Sequence, residues 1–164
     1  MKSTQAIPAK IFTLPDLQMQ LKRWRLQNKK IVFTNGVFDI LHEGHIASLS
    51  EAASYGSILI VAVNADASVK RLKGNDRPVN NENARALLIA SLVITDAVII
   101  FEEDTPQQLI ATLLPDVLVK GGDYSIDQIA GAKEVMEAGG EVILAKMVEG
   151  VSTTAIIQKM KNTN

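Results

Sequence analysis

His42 and His45 stand three residues apart, and the chain contains no other histidine. The stretch around them reads as a short apolar strand, Ile31-Val32-Phe33, running into Thr34-Asn35-Gly36-Val37-Phe38-Asp39, after which Leu41-His42-Glu43-Gly44-His45 opens a helix. A strand, a glycine turn and a helix N-terminus present unpaired backbone N–H groups and the positive end of a helix dipole, which together attract phosphate. Two imidazoles add donors to the same place. The plainer alternative makes His42 a satisfied core histidine and leaves His45 idle on a helix surface. Their occurrence in one turn beside Gly36 and Gly44 favours the phosphate reading.

Other stretches carry groups suited to the same chemistry. Ser68-Val69-Lys70-Arg71-Leu72-Lys73-Gly74, with Arg77-Pro78 close behind, gathers four cations in a segment that follows a strand and contains helix-breaking residues. Such a run is ordinarily a solvated face. Two phosphorylated substrates in one site would instead require Lys and Arg to offset their mutual repulsion. Val119-Lys120-Gly121-Gly122-Asp123-Tyr124 ends a strand on glycines that let backbone approach a ligand, with an acid suited to a ribose or sugar hydroxyl. A plain turn fits those residues equally well. Ser152-Thr153-Thr154 precedes the apolar Ile156, Ile157 and Met160, so one hydroxyl is an N-cap, and the others form a second phosphate cradle with the free N–H groups. The two cradles could hold opposite sides of one triphosphate.

These groups need a frame that brings them to one edge. Leu14, Leu17, Leu21 and Trp24 form one stripe on a helix beginning near Pro15-Asp16, expected to pack on the sheet or on a second subunit. Its basic end, Lys22-Arg23-Trp24-Arg25, is read as a solvated face near a helix C-terminus. The histidine turn leads into a helix from about Gly44 to Tyr55, stopped by Gly56. Ser57-Ile58-Leu59-Ile60-Val61-Ala62-Val63 is a nearly continuous apolar run, as in a strand buried on both faces, and two such strands joined by a helix make a right-handed βαβ unit. The alternation continues with a helix near Asn83 to Leu92, a strand at Ala97 to Phe101 and a helix from Pro106 to Leu114. A strand at Val117 to Lys120, a helix around Ile126 to Ala138, a strand at Glu141 to Ala145 and a last helix from Ser152 complete it. This predicts an α/β fold, a doubly wound parallel sheet of about five strands, with ligands bound beyond the strands' carboxyl ends. Residues 1–29 are expected to form an N-terminal extension carrying the amphipathic helix, and 30–164 one domain.

Composition narrows the classes. At 164 residues, 47% hydrophobic and 21% charged, the chain is an ordinary globular domain, neither disordered nor collagenous. A formal net charge of −1 gives no general attraction to nucleic acid or to an anionic membrane, so an anionic ligand must be held by local cations. With no cysteine, disulfides and thiolate metal sites are excluded, which fits a cytoplasmic location. The first residues lack the apolar core of a secretory signal, and no run approaches the ~20 apolar residues of a membrane span.

Gly36-Val37-Phe38-Asp39 followed by His42-Glu43-Gly44-His45 resembles the GxFDxxHxGH signature of the cytidylyltransferase-like nucleotidyltransferases. The resemblance widens through Lys70-Arg71-Leu72-Lys73-Gly74, Arg77-Pro78-Val79-Asn80, Phe101-Glu102-Glu103-Asp104-Thr105-Pro106 and Leu118-Val119-Lys120-Gly121-Gly122-Asp123-Tyr124. These blocks are similar, in order, to the adenylyltransferases of ADP-heptose synthesis. They cover roughly residues 30 to 162, which the resemblance identifies as a Rossmann-like nucleotidyltransferase domain, here without the sugar kinase that is often fused before it. A stand-alone adenylyltransferase with a separate kinase is therefore implied.

The resemblance implies direct transfer: a phosphate oxygen of D-glycero-β-D-manno-heptose 1-phosphate attacks the α-phosphorus of ATP in line, and pyrophosphate leaves. It places His42, His45 and Lys73 in catalysis. It places Thr34, Asn35, Gly36, Phe38, His42, His45, Lys120, Gly121, Gly122, Asp123, Ser152, Thr153 and Thr154 at the nucleotide, and Asp39, Lys70, Lys73, Arg77 and Arg85 at the sugar phosphate. Mg²⁺ is expected to arrive with ATP, without a protein metal ligand. A homo-oligomer, with a dimer favoured, and no nucleic-acid or membrane partner complete the expectation. One departure stands out: glycerol-phosphate cytidylyltransferases carry an Arg-Thr-Glu-Gly-Ile-Ser-Thr-Thr string, and this chain has Met147 in place of its arginine. Two alternatives stay open, a cytidylyltransferase acting on another phosphorylated alcohol such as glycerol 3-phosphate and a non-catalytic nucleotide-binding module.

Overall fold

The apolar runs become five strands in the computed structural model, which describes residues 3–122, 125–146 and 152–161. They are β1 (Ile31–Gly36), β2 (Ile58–Asn64), β3 (Ala97–Phe101), β4 (Val117–Gly121) and β5 (Glu141–Ala145). All pair in parallel, in the order β3-β2-β1-β4-β5. The chain thus winds outward from β1 in one direction and then, from β4, in the other. That reversal opens a crevice at the carboxyl ends of β1 and β4, the place where doubly wound sheets take ligands.

Register is uneven across the sheet. β1 runs beside β2 from Ile31 opposite Ile58 to Gly36 opposite Val63. Between β1 and β4 the register is Val32 opposite Val117 and Phe33 opposite Leu118. The strands diverge above that point, so the crevice begins inside the sheet.

The helices are α1 (Leu14–Leu26), α2 (Glu43–Ala53), α3 (Asp66–Lys73), α4 (Glu82–Ala90), α5 (Gln107–Leu113), α6 (Ala132–Glu137) and α7 (Thr153–Lys161). Alternate strand residues feed two cores. Ile31, Phe33, Ile58 and Ile60 pack with Leu17 and Leu21 of α1, Ile110 of α5 and Val135 of α6, while Val32, Leu59 and Val61 pack with Leu49 of α2 and Ala86 and Ile89 of α4. Each large apolar side chain so buried contributes about 1.5–3 kcal/mol, and this two-sided burial fixes the height at which every strand ends. Leu17, Leu21 and Trp24 of the α1 stripe lie against the sheet while Leu14 is exposed, and Phe12 N–H donates to the Val98 carbonyl on the edge strand β3. No helix among the described residues is long and apolar enough to cross a membrane.

Two elements differ from the sequence expectation. The basic segment after β2 is helical through Lys73: Ser68 and Val69 are buried, and Lys70, Arg71 and Lys73 occupy the last turn, where cations meet the negative end of the dipole. The single helix expected over Ile126 to Ala138 is instead a 3₁₀ turn, Ile126–Gln128, and the short α6. Gly131 separates them at φ +85°, and a Cβ there would come within 2.6 Å of Ile110 Cγ2, so close packing on α5 sets the break.

Candidate active site

β1 delivers Thr34, Asn35 and Gly36 to the crevice, and His42 is the N-cap of α2, with its carbonyl accepting from the N–H groups of His45 and Ile46. No side chain caps this N-terminus. The His42 and His45 rings stack with centroids 3.8 Å apart and planes 21° apart, and Phe38 meets the His45 ring edge-on at 5.2 Å. A Cβ on Gly36 would lie 2.9 Å from the Phe38 ring, so glycine leaves room for the ring that supports His45. Nδ1 of His42 and Nδ1 of His45 are both buried without a hydrogen-bond partner.

Burial is the main reason both imidazoles lose basicity. His45 is lowered to about 4 by burial, then by His42 and by Lys73, against a weaker opposing bond with the Ile40 backbone. His42 is lowered by burial, with Glu43 opposing. Both shifts favour the uncharged imidazole, a form able to donate through N–H.

The loop carrying the histidines is pinned from below. Phe38 takes φ +50°, a left-handed conformation that a bulky residue adopts only when its surroundings impose it. Those surroundings are Asp39 and Arg85. Asp39, 1% exposed, accepts from Arg77 Nε (2.6 Å), Val79 N (2.8 Å) and Asn80 N (2.9 Å). Burial alone would raise its pKa, but the Asn80 and Val79 N–H groups and the Arg77 guanidinium together hold it below the usual carboxylate range. Arg85, fully buried on α4, donates to the carbonyls of Val37 (2.7 Å) and Asn80 (2.9 Å) and to Asp66 Oδ1 (2.7 Å).

Two cavities open side by side above the crevice. The first, about 290 Å³, is lined by Thr34, Phe38, His42, Gly44, His45, Ser48, Gly121, Ser152, Thr153 and Thr154, among others, and none of its described lining residues is acidic. The second, about 460 Å³, is lined by Asn64, Leu72, Asp104, Thr105, Pro106 and Gln128, among others. Asn35, Gly36, Val37, Lys73 and Lys120 belong to both and form the common wall. Lys120 Nζ donates to Asn35 Oδ1 at 3.1 Å, and burial lowers its pKa. Lys73 is lowered by burial and by Arg77, with Asp39 opposing. An anion entering either cavity would relieve that strain on both ammonium groups.

Thr34, Asn35, Gly36, Phe38, His42, His45, Lys73, Lys120, Gly121, Ser152, Thr153 and Thr154 are thus brought to one place. Ser152 Oγ accepts from Ala155 N as an N-cap, and Thr153 Oγ1 donates to the Ile40 carbonyl at 3.5 Å, tying α7 to the histidine loop. Lys70, Asp39, Arg77 and Arg85 do not line either cavity: Lys70 is exposed one turn before Lys73, and the other three hold the loop. Asp123 and Met147 lie outside the described residues. The bracing role of Arg85 and Asp39 has no mark in local spacing; the one available cue is a carboxylate in an otherwise apolar Phe38-Asp39-Ile40 turn.

The sheet order and the histidine turn at its switch point define the class, and the chain belongs to the cytidylyltransferase-like family, whose model matches residues 33–159. It is similar to the bifunctional protein HldE of Yersinia enterocolitica, 55% identical over 146 residues, taking in 89% of this chain and 31% of the relative. HldE of Escherichia coli is 52% identical over 151 residues, 92% of this chain and 32% of the relative. The chain therefore spans about a third of the length of the curated relatives it matches. Among solved structures it is similar to the lipopolysaccharide core biosynthesis protein from Thermoplasma volcanium, with TM-score 0.58 and 31% identity over 73% of this chain and 97% of that one. Pantoate-beta-alanine ligase from Francisella tularensis, solved with beta-gamma ATP and beta-alanine, gives TM-score 0.61 over 92% of this chain and 76% of that one. At 14% identity that is a likeness of fold alone.

Proposed function

We propose that the chain transfers AMP from ATP to D-glycero-β-D-manno-heptose 1-phosphate, giving ADP-heptose and pyrophosphate. The observation that carries the reading is the pair of cavities walled by Lys73 and Lys120, one floored by stacked neutral histidines and the other edged with polar side chains. The likeness to HldE proteins and to a lipopolysaccharide core biosynthesis protein supports a sugar acceptor.

In this reading the triphosphate occupies the first cavity, over the N-termini of α2 and α7, and the sugar phosphate enters the second. The attacking phosphate oxygen is already anionic, so neither a protein base nor a protein nucleophile is required. Its bond to the α-phosphorus forms as the bond from that phosphorus to the leaving pyrophosphate oxygen breaks. His42 and His45 donate to the oxygens on which charge builds, and Lys73 and Lys120 offset repulsion between the two anions at their common wall. Asp39, Arg77 and Arg85 hold the histidine loop, with Lys70 an outer cation. The described lining of the first cavity offers imidazoles, ammonium groups and hydroxyls, a donor set for anions. Mg²⁺ accordingly enters as part of the nucleotide substrate, held by phosphate oxygens and water. The same reading carries a cytoplasmic setting, which the absence of cysteine fits, and a homodimer, which sedimentation of the purified chain checks.

The test measures pyrophosphate release with ATP and with CTP, each against heptose 1-phosphate and glycerol 3-phosphate. Release is expected with ATP and heptose 1-phosphate. Preference for CTP and glycerol 3-phosphate would overturn the assignment, and ATP binding without release for any acceptor would make the chain a binding module.

A further inference from the structure

β2 is apolar from Ile58 to Val63 and ends on Asn64, a residue 4% exposed that lines the second cavity. A buried amide at the end of such a strand costs free energy unless its polar atoms are used. Ser68, fully buried on α3, settles its orientation. The Ser68 hydroxyl gives its one proton to the Glu103 carbonyl (3.0 Å), so towards Asn64 it can only accept, and Asn64 Nδ2 donates to it at 3.1 Å. That arrangement leaves Asn64 Oδ1 to accept from a ligand.

Asp104 is fixed in a similar way. Arg71 Nε donates to Asp104 Oδ1 at 2.7 Å and Arg71 Nη2 to the Glu102 carbonyl at 2.7 Å, which leaves Asp104 Oδ2 open. Asn64 and Asp104 both line the second cavity and not the first, whereas Lys73 and Lys120 line both. A carboxylate there gives no help to a phosphate. It is a strong acceptor for hydroxyl groups, as is an oriented amide oxygen.

We propose that Asn64 and Asp104 select the acceptor by its hydroxyl groups, so that a sugar phosphate lies with its phosphate on Lys73 and Lys120 and its hydroxylated carbons on these two oxygens. This deepens the proposed sugar-phosphate transfer and rests on it. A site that leaves two fixed acceptors unpaired when a hydroxyl is missing discriminates strongly against the deoxy compound.

The test compares kcat/KM for heptose 1-phosphate with that for analogues each lacking one hydroxyl, in the wild type, in Asp104→Asn and in Asn64→Ala. The isosteric Asp104→Asn, at a half-exposed position, keeps the comparison available should Asn64→Ala fail to fold. In the wild type at least one deoxy analogue is expected to fall by about 10-fold or more, the worth of a hydrogen bond to an ionised or buried group. In the variants that ratio should shrink towards one, with KM for heptose 1-phosphate raised and KM for ATP unchanged. A folded Asp104→Asn protein whose ratio matches the wild type, or whose KM for ATP rises as much as that for the acceptor, would overturn the inference alone. Absence of wild-type turnover with every sugar 1-phosphate would overturn the underlying reading, and this inference with it.

Discussion

Truncating His42 or His45 to alanine removes a donor from a stacked pair that lies over an uncapped helix N-terminus. Each substitution is expected to lower kcat for pyrophosphate release by about 100-fold or more, the scale on which a donor to a charged transition state acts, with the melting temperature little changed. Unchanged kcat in either variant would remove that residue from the chemistry. The depressed basicity of His45 also makes stability depend on pH. Folded, it protonates at about 4; unfolded, it does so near the ordinary value of 6.5, so between those values the unfolded chain holds more protons. The contribution is present in full above 6.5 and is lost as pH falls through 6.5 towards 4. Denaturant unfolding of the wild type should therefore weaken more steeply over that window than unfolding of His45→Ala, and parallel pH curves for the two proteins would contradict it.

Among the elements, α4 acts on the site without touching either cavity. Arg85 binds Val37, Asn80 and Asp66 at once, and a lysine has no planar fork with which to reach three separate acceptors. Arg85→Met is expected to cost about 3 kcal/mol of stability by leaving Asp66 and two carbonyls unpaired. Arg85→Lys should recover little of it, whereas full recovery in a urea titration would reduce the role of Arg85 to its charge. The same residue marks a limit of what the chain displays in one dimension. The parallel sheet was legible because β1, β2 and β4 are apolar on both faces and so read as continuous runs. The gathering of Gly36, His42 and His45 at one cavity was legible because they lie close together in sequence. α3 was hidden because it is short, buries only Ser68 and Val69 of its own residues, and runs straight into Gly74. The break before α6 depends on Ile110, a residue of another helix, and the reach of Arg85 to Val37 crosses 48 positions of sequence. Contacts of that kind follow from the assembled fold and leave no local pattern.

Viewed whole, the proposed chemistry is expected to need no covalent intermediate. Ser152 Oγ is spent as an N-cap and Thr153 Oγ1 donates to the Ile40 carbonyl, so neither hydroxyl is set up as a nucleophile. ATP bearing a chiral α-phosphorothioate should give product inverted at phosphorus, and net retention would demand a second displacement. The short register between β1 and β4 has a mechanical consequence as well. The chain from Ile31 to Phe101 builds β1, β2 and β3, and the later chain builds β4 and β5, so the sheet is joined at its least paired seam. Asn35 and Lys120 stand on opposite sides of that seam and line both cavities. On the proposed reading a nucleotide bound across the seam would act as a rivet between its two sides. Amide hydrogen exchange should slow on ATP addition more in β4 and β5 than in the amides shared by β2 and β3. Uniform protection of all five strands would mean that the seam does not open by itself.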